Sequence, residues 1–94
     1  MKVRKLQVHD FRLVPYSVSR TSVDSQKLLG RRIRSLRQAR GLTQERLGEL
    51  ADLNYKYLGS VERGEGNPSL LVLERIAVAL EVELSDLLRF VHRA

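Results

Sequence analysis

Apolar residues recur at helical spacing from about residue 27 to residue 92 and lose that spacing before it. Leu29, Ile33 and Leu36 stand at i, i+4 and i+7, which predicts an amphipathic helix over Lys27 to Arg40. Gly41 ends it, because glycine sits easily in the left-handed position beyond a helix. Thr43 offers a hydroxyl N-cap to a second helix carrying Leu47, Leu50 and Ala51. Asp52-Leu53 makes a tight turn, and Asn54 caps a third helix from Tyr55 to Arg63, buried through Leu58 and Val61 and closed by Gly64. The loop Glu65-Gly66-Asn67-Pro68 leads to Ser69, the cap of a fourth helix with Leu70, Leu73, Ile76, Ala77 and Leu80 on its apolar face. A last short helix, about Leu84 to Val91, carries Leu84, Leu87, Leu88 and Val91.

The first 25 residues follow another rule. Leu6/Val8 and Phe11/Leu13 alternate with polar residues, which fits a short strand or a hairpin turning at His9-Asp10. Pro15 confines any strand there to an edge, and Ser17 to Ser25 reads as a linker. The expected organisation is an N-terminal arm and linker, 1–25, followed by an all-α five-helix domain, 26–94.

At 94 residues the chain has room for one compact domain and an appendage. Its aromatic content of 5% leaves the core to Leu, Ile, Val and Ala, which suits packed helices. The absence of cysteine excludes disulfides, zinc-thiolate sites and a thiol nucleophile. No apolar run reaches the ~20 residues needed to span a bilayer, so a cytoplasmic protein without membrane contact is expected. The net charge of +6 points weakly to a polyanion, and its distribution says more. Lys27, Arg31, Arg32, Arg34, Arg37 and Arg40 stand together without an acid, whereas Glu74, Glu81, Glu83 and Asp86 offset Arg75, Arg89 and Arg93 near the end. His9 and His92 have no partner at metal-ligand spacing. No nucleophile has an adjacent His base, and no glycine loop cradles a phosphate. Neither an enzyme nor a metal or other cofactor is expected.

Small and turn-forming residues stand where two helices must cross closely. Gly48 lets the third helix approach the second, Asp52 occupies a left-handed turn, and Leu58 locks the third helix onto the first two. This leaves Asn54, Tyr55, Lys56, Gly59, Ser60 and Arg63 as a polar outer face able to enter a major groove. With the markers Leu29-Gly30-Arg31-Arg32-Ile33-Arg34-Ser35-Leu36-Arg37, Gly41-Leu42-Thr43-Gln44 and Leu47, Val61-Glu62-Arg63-Gly64-Glu65 and Asn67-Pro68-Ser69-Leu70, the chain resembles the phage repressor/Cro-like helix-turn-helix proteins over about Leu29 to Leu88.

The resemblance implies helix 2 across a DNA backbone and helix 3 in the major groove. By position it implies base reading by Tyr55, Lys56 and Ser60. Phosphate contacts are implied for Thr43 and Gln44, with Gln44 also bracing the first residues of helix 3, and for backbone N–H groups around Asn54 and Asn67. Arg37 and Glu62 match a partly buried structural ion pair. Three positions depart from the pattern: Asp52 and Glu81 stand where Gly is usual, and Gly48 where Ala is usual.

From their own positions, Arg40 and Arg46 flank the start of helix 2 and suit phosphate contact, while Arg31 and Arg34 read as a solvated face. Tyr55 is open to two readings, contact with DNA or stacking on its neighbours. Leu84, Leu87 and Leu88 are expected to close the core. Leu87, Phe90 and Val91 are expected at a homodimer interface, because a single small helix-turn-helix reads only a few base pairs and a two-fold pair doubles the contact. The expected function is a transcriptional regulator binding double-stranded DNA at a palindromic operator. Two alternatives share the fold: an antitoxin-type module whose arm binds a protein partner, and a restriction–modification controller.

Overall fold

The structure, a computed structural model, describes residues 25–89, and all regular structure among these is helical. The helices are α1 (25–39), α2 (Gln44–Ala51), α3 (Tyr55–Glu62), α4 (Leu70–Leu80) and α5 (Leu84–Leu87). The all-α, five-helix expectation holds. Ser25 is already helical, so the linker reading ran one residue too far, and α5 ends at Leu87. The strand or hairpin expected in the arm lies outside the described residues, as do Phe90 and Val91.

The helix starts follow the capping chemistry. The side-chain oxygens of Thr43, Asn54 and Ser69 accept from the backbone N–H groups of Arg46 (3.0 Å), Lys56 (2.7 Å) and Val72 (3.2 Å). The ends of α1 to α4 share one device. Gly41, Asp52, Gly64 and Glu81 take positive φ, and the residue after each donates to a carbonyl of the last turn: Leu42 to Arg37, Leu53 to Gly48, Glu65 to Ser60 and Val82 to Ala77. Left-handed backbone costs a residue with a Cβ ~1–2 kcal/mol, less for Asp. The two acids in this role also hold a second element: Asp52 accepts from Arg75 of α4 (3.1 Å) and Glu81 from Arg40 just beyond α1 (3.2 Å).

The core is aliphatic. Ile33 of α1, Leu47 of α2, Leu58 of α3, Ile76 and Leu80 of α4 and Leu87 of α5 are fully buried. Two residues assigned to apolar faces are exposed: Leu50 (47%) and Leu70 (61%). In α2 the buried face runs through Leu47, Gly48 and Ala51, which turns Leu50 outward. Leu70 is the first residue of α4 and stands at its open end. Two backbones meet closely at glycine. A Cβ on Gly30 would overlap the carbonyl oxygens of Val61 and Glu62, and one on Gly48 would overlap that of Leu53. The Ala usual at position 48 would therefore require the turn to shift.

Candidate nucleic-acid interface

α3 divides into two faces. Leu58, Gly59, Val61 and Glu62 are buried, and Tyr55, Lys56 and Tyr57 are exposed, with Arg63 exposed just beyond them. Ser60 is half-buried, and its hydroxyl donates to the Tyr57 carbonyl at 2.7 Å. Gly59 departs from the open-face expectation. The Gln44 amide and the Arg63 guanidinium lie over it, each with an atom 3.3 Å from where a Cβ would stand.

The expected ion pair is present and bidentate. Arg37 donates from Nε to Glu62 Oε2 at 2.7 Å and from Nη2 to Oε1 at 3.0 Å, while its Nη1 donates to the Leu42 carbonyl at 2.7 Å. The two side chains are 11% and 3% exposed, so the bond works in a weakly screened setting. The hydrogen bond to Glu62 raises the Arg37 guanidinium above the ordinary arginine value, burial opposes this, and the charges of Glu62 and Glu45 add to the rise. A raised folded value means the arginine's contribution is full below the ordinary arginine range and is lost only as pH climbs through the higher value. Gln44 joins the pair, donating from Nε2 to Glu62 Oε1 at 3.1 Å. It therefore braces the last turn of α3 and not the first residues, because the buried carboxylate and the bare Gly59 both lie at that end. Among the described residues no buried side-chain polar atom lacks a partner.

The other expected site residues surround this unit. Thr43 and Asn54 cap α2 and α3, and Asn67 is exposed in the loop before α4. Arg40 and Arg46 sit in exposed ion pairs with Glu81 (3.2 Å) and Glu49 (2.8 Å). Lys56 makes no side-chain hydrogen bond or ion pair among the described residues. Of the two roles expected for Leu87, core and interface, the structure supports the first. It is fully buried within this one chain, against α4, so it closes the core and has no surface to give an interface.

Several contacts lie outside what the sequence predicts. Arg32 ties α1 to α5 by donating to the Asp86 carbonyl at 2.8 Å. Leu50, Leu71 and Val78 are exposed around a shallow depression also lined by Ala51 and Arg75. Arg63 pairs with Glu65. A glycine inside an otherwise strong helix was the available signal for the close approach at Gly30.

A family model described as helix-turn-helix matches residues 33–87. The immunity repressor protein of Bacillus phage phi105 is 46% identical over 57 residues, which is 61% of this chain and 40% of that protein. The chain thus spans less than half of that relative. The restriction–modification controller protein C.AhdI from Aeromonas hydrophila superposes with a TM-score of 0.65 at 44% identity, over 66% of this chain and 94% of that one. The biofilm master regulator SinR, solved in complex with DNA, superposes with a TM-score of 0.61 at 36% identity, over 64% of this chain and 97% of that one. With more than half its length matched and the bidentate Arg37–Glu62 pair tying α1 to the end of α3, the chain belongs to the helix-turn-helix family of DNA-binding transcriptional regulators.

Proposed function

We infer that the chain, a DNA-binding transcriptional regulator by its family, reads a palindromic operator as a homodimer with α3 in the major groove. The observation that carries this is the division of α3. One face is anchored by Leu58, Val61 and the Glu62 network, and the other presents Tyr55, Lys56 and Ser60 to solvent or near it. A rigidly held helix with a polar outer face is what direct readout of base edges needs. The Ser60 hydroxyl hydrogen is committed to Tyr57, so its lone pairs would face a base-edge donor.

Thr43, Gln44, Asn54 and Asn67 are assigned to phosphates, with Arg40 and Arg46. Exposed ion pairs are worth ~0–1 kcal/mol, so both arginines can exchange a carboxylate for a phosphate oxygen. With Leu87 in the core, the homodimer rests on Phe90 and Val91. The apolar residues that precede α1 would serve a protein partner or the second subunit. The reading places the chain in the cytoplasm. A second reading, control of a restriction–modification system, is favoured by the 44% identity to C.AhdI over 94% of that protein.

The test is selection of bound duplexes from a random pool at near-physiological salt. A palindrome with two half-sites is expected, and its binding should weaken with salt by a logarithmic slope of ~0.9 per phosphate contacted. Lys56→Ala with Ser60→Ala should weaken discrimination between that site and random duplex. Unchanged discrimination would remove α3 as the reader.

A further inference from the structure

We propose that Arg63 reads a guanine in each half-site, with Glu65 as its positioning residue and Gly59 as the seat for its side chain. The inference rests on α3 being the reading helix.

Three observations converge. Lys56, Ser60 and Arg63 stand at i, i+4 and i+7, so Arg63 belongs to the stripe opposite Leu58 and Val61 and extends the reading positions by one turn. Its guanidinium also does not reach away from the end of the helix. Nη1 lies 3.3 Å from where a Gly59 Cβ would be, so the side chain is folded back across the outer face. Glycine inside a helix costs ~1 kcal/mol relative to Ala, and here the missing side chain is the space that Arg63 and Gln44 occupy.

The third observation is the way Glu65 holds it. Nε donates to Glu65 Oε2 at 3.1 Å and Nη2 to Oε1 at 3.3 Å, which uses one edge of the guanidinium. The other pair of N–H groups, on Nη1 and Nη2, remains as a fork. That fork matches the O6 and N7 acceptors of guanine in the major groove. While the pair with Glu65 is kept, the free fork meets the neutral guanine acceptors without a second negative charge beside Glu65. The salt dependence below distinguishes this from exchange of Glu65 for a phosphate oxygen. The ion pair is exposed, with side chains 62% and 61% accessible, so its service is orientation and not stability.

The experiment is the random-duplex selection repeated with Arg63→Lys and Arg63→Ala, followed by titration of the wild-type site and of the same site with that guanine replaced. The wild-type site should hold one guanine per half-site whose enrichment vanishes in Arg63→Lys, which keeps the charge and loses the fork, while preferences at other positions persist. Affinity for the guanine-bearing duplex should fall by ~5- to 150-fold, the range for one bidentate base contact, and the replaced duplex should bind wild type and variant alike. Retention of the guanine by Arg63→Lys would overturn the assignment. So would an equal weakening of all sequences by Arg63→Ala with a salt slope lower by ~1, the mark of a phosphate contact. A wild-type protein with no base preference at all would instead overturn the reading of α3 itself, and this assignment with it. Circular dichroism of each variant confirms that the exposed substitution leaves the helices intact.

Discussion

The two faces of α3, with Arg63 at its C-terminal end, are built under opposite demands. The inner face spends its one charged group, Glu62, on a closed set of hydrogen bonds from Arg37 and Gln44, beside Leu58 and Val61. The outer face leaves Lys56 without a side-chain partner among the described residues and holds Arg63 only through an exposed pair. The difference follows from desolvation. A charge taken out of water must be fully matched, whereas one left in water keeps its capacity to bind something else. The inner face therefore governs stability and the outer face binding, and substitutions should separate the two.

The largest effect should come from Arg37→Ala, which strands Glu62 and should lower unfolding free energy by ~3–5 kcal/mol in urea titration. The gap between this variant and wild type should stay constant from neutral to moderately alkaline pH, since the raised Arg37 value keeps the guanidinium charged there. Leu58→Ala, at a fully buried position, should cost ~2–5 kcal/mol by the same measurement. Gly30→Ala should cost ~1–3 kcal/mol, because the new methyl group pushes α1 off the Val61 and Glu62 carbonyls. Glu81→Gly should shift stability by about 1 kcal/mol or less. It relieves left-handed backbone and loses the exposed Arg40 pair, and a thermal melt would show which is larger. Lys56→Ala should leave stability within ~0.5 kcal/mol while weakening preference for the selected duplex. A large loss of stability from Lys56→Ala, or none from Arg37→Ala, would break the division of labour between the faces.

Much of this arrangement was legible in the chain. The caps at Thr43, Asn54 and Ser69, the left-handed ends at Gly41 and Gly64 and the Arg37–Glu62 pair follow from local chemistry or from motif positions. Leu50 and Leu70 are exposed where the sequence predicts burial, Leu50 because the buried face of α2 runs through Leu47, Gly48 and Ala51, and Leu70 because it opens α4. Leu87 takes the core place and not the interface place predicted for it. Periodicity tells which side of a helix is apolar and not where neighbouring helices begin and end over it. Gln44 was expected at the wrong end of α3 because its partner, Glu62, lies 18 positions away and meets it only in the folded chain.

The sequence by itself determined the starts of α2, α3 and α4 and the left-handed turns that end α1 to α3, since capping and such turns depend on residues within one turn of each other. It also determined that helix 3 is held by one face and offered by the other. Only the tertiary structure decided the rest: that Asp52 and Glu81 each recruit an arginine from another element, that Gly30 and Gly48 are demanded by opposing carbonyls, and that Arg63 lies back across Gly59 beside Glu65. The Asp52–Arg75, Glu81–Arg40 and Gly30 contacts depend on distances between segments remote in the chain, which packing sets only once the helices are in place. Those at Gly48 and Arg63 join near neighbours and depend on the path of the turn and the rotamer taken.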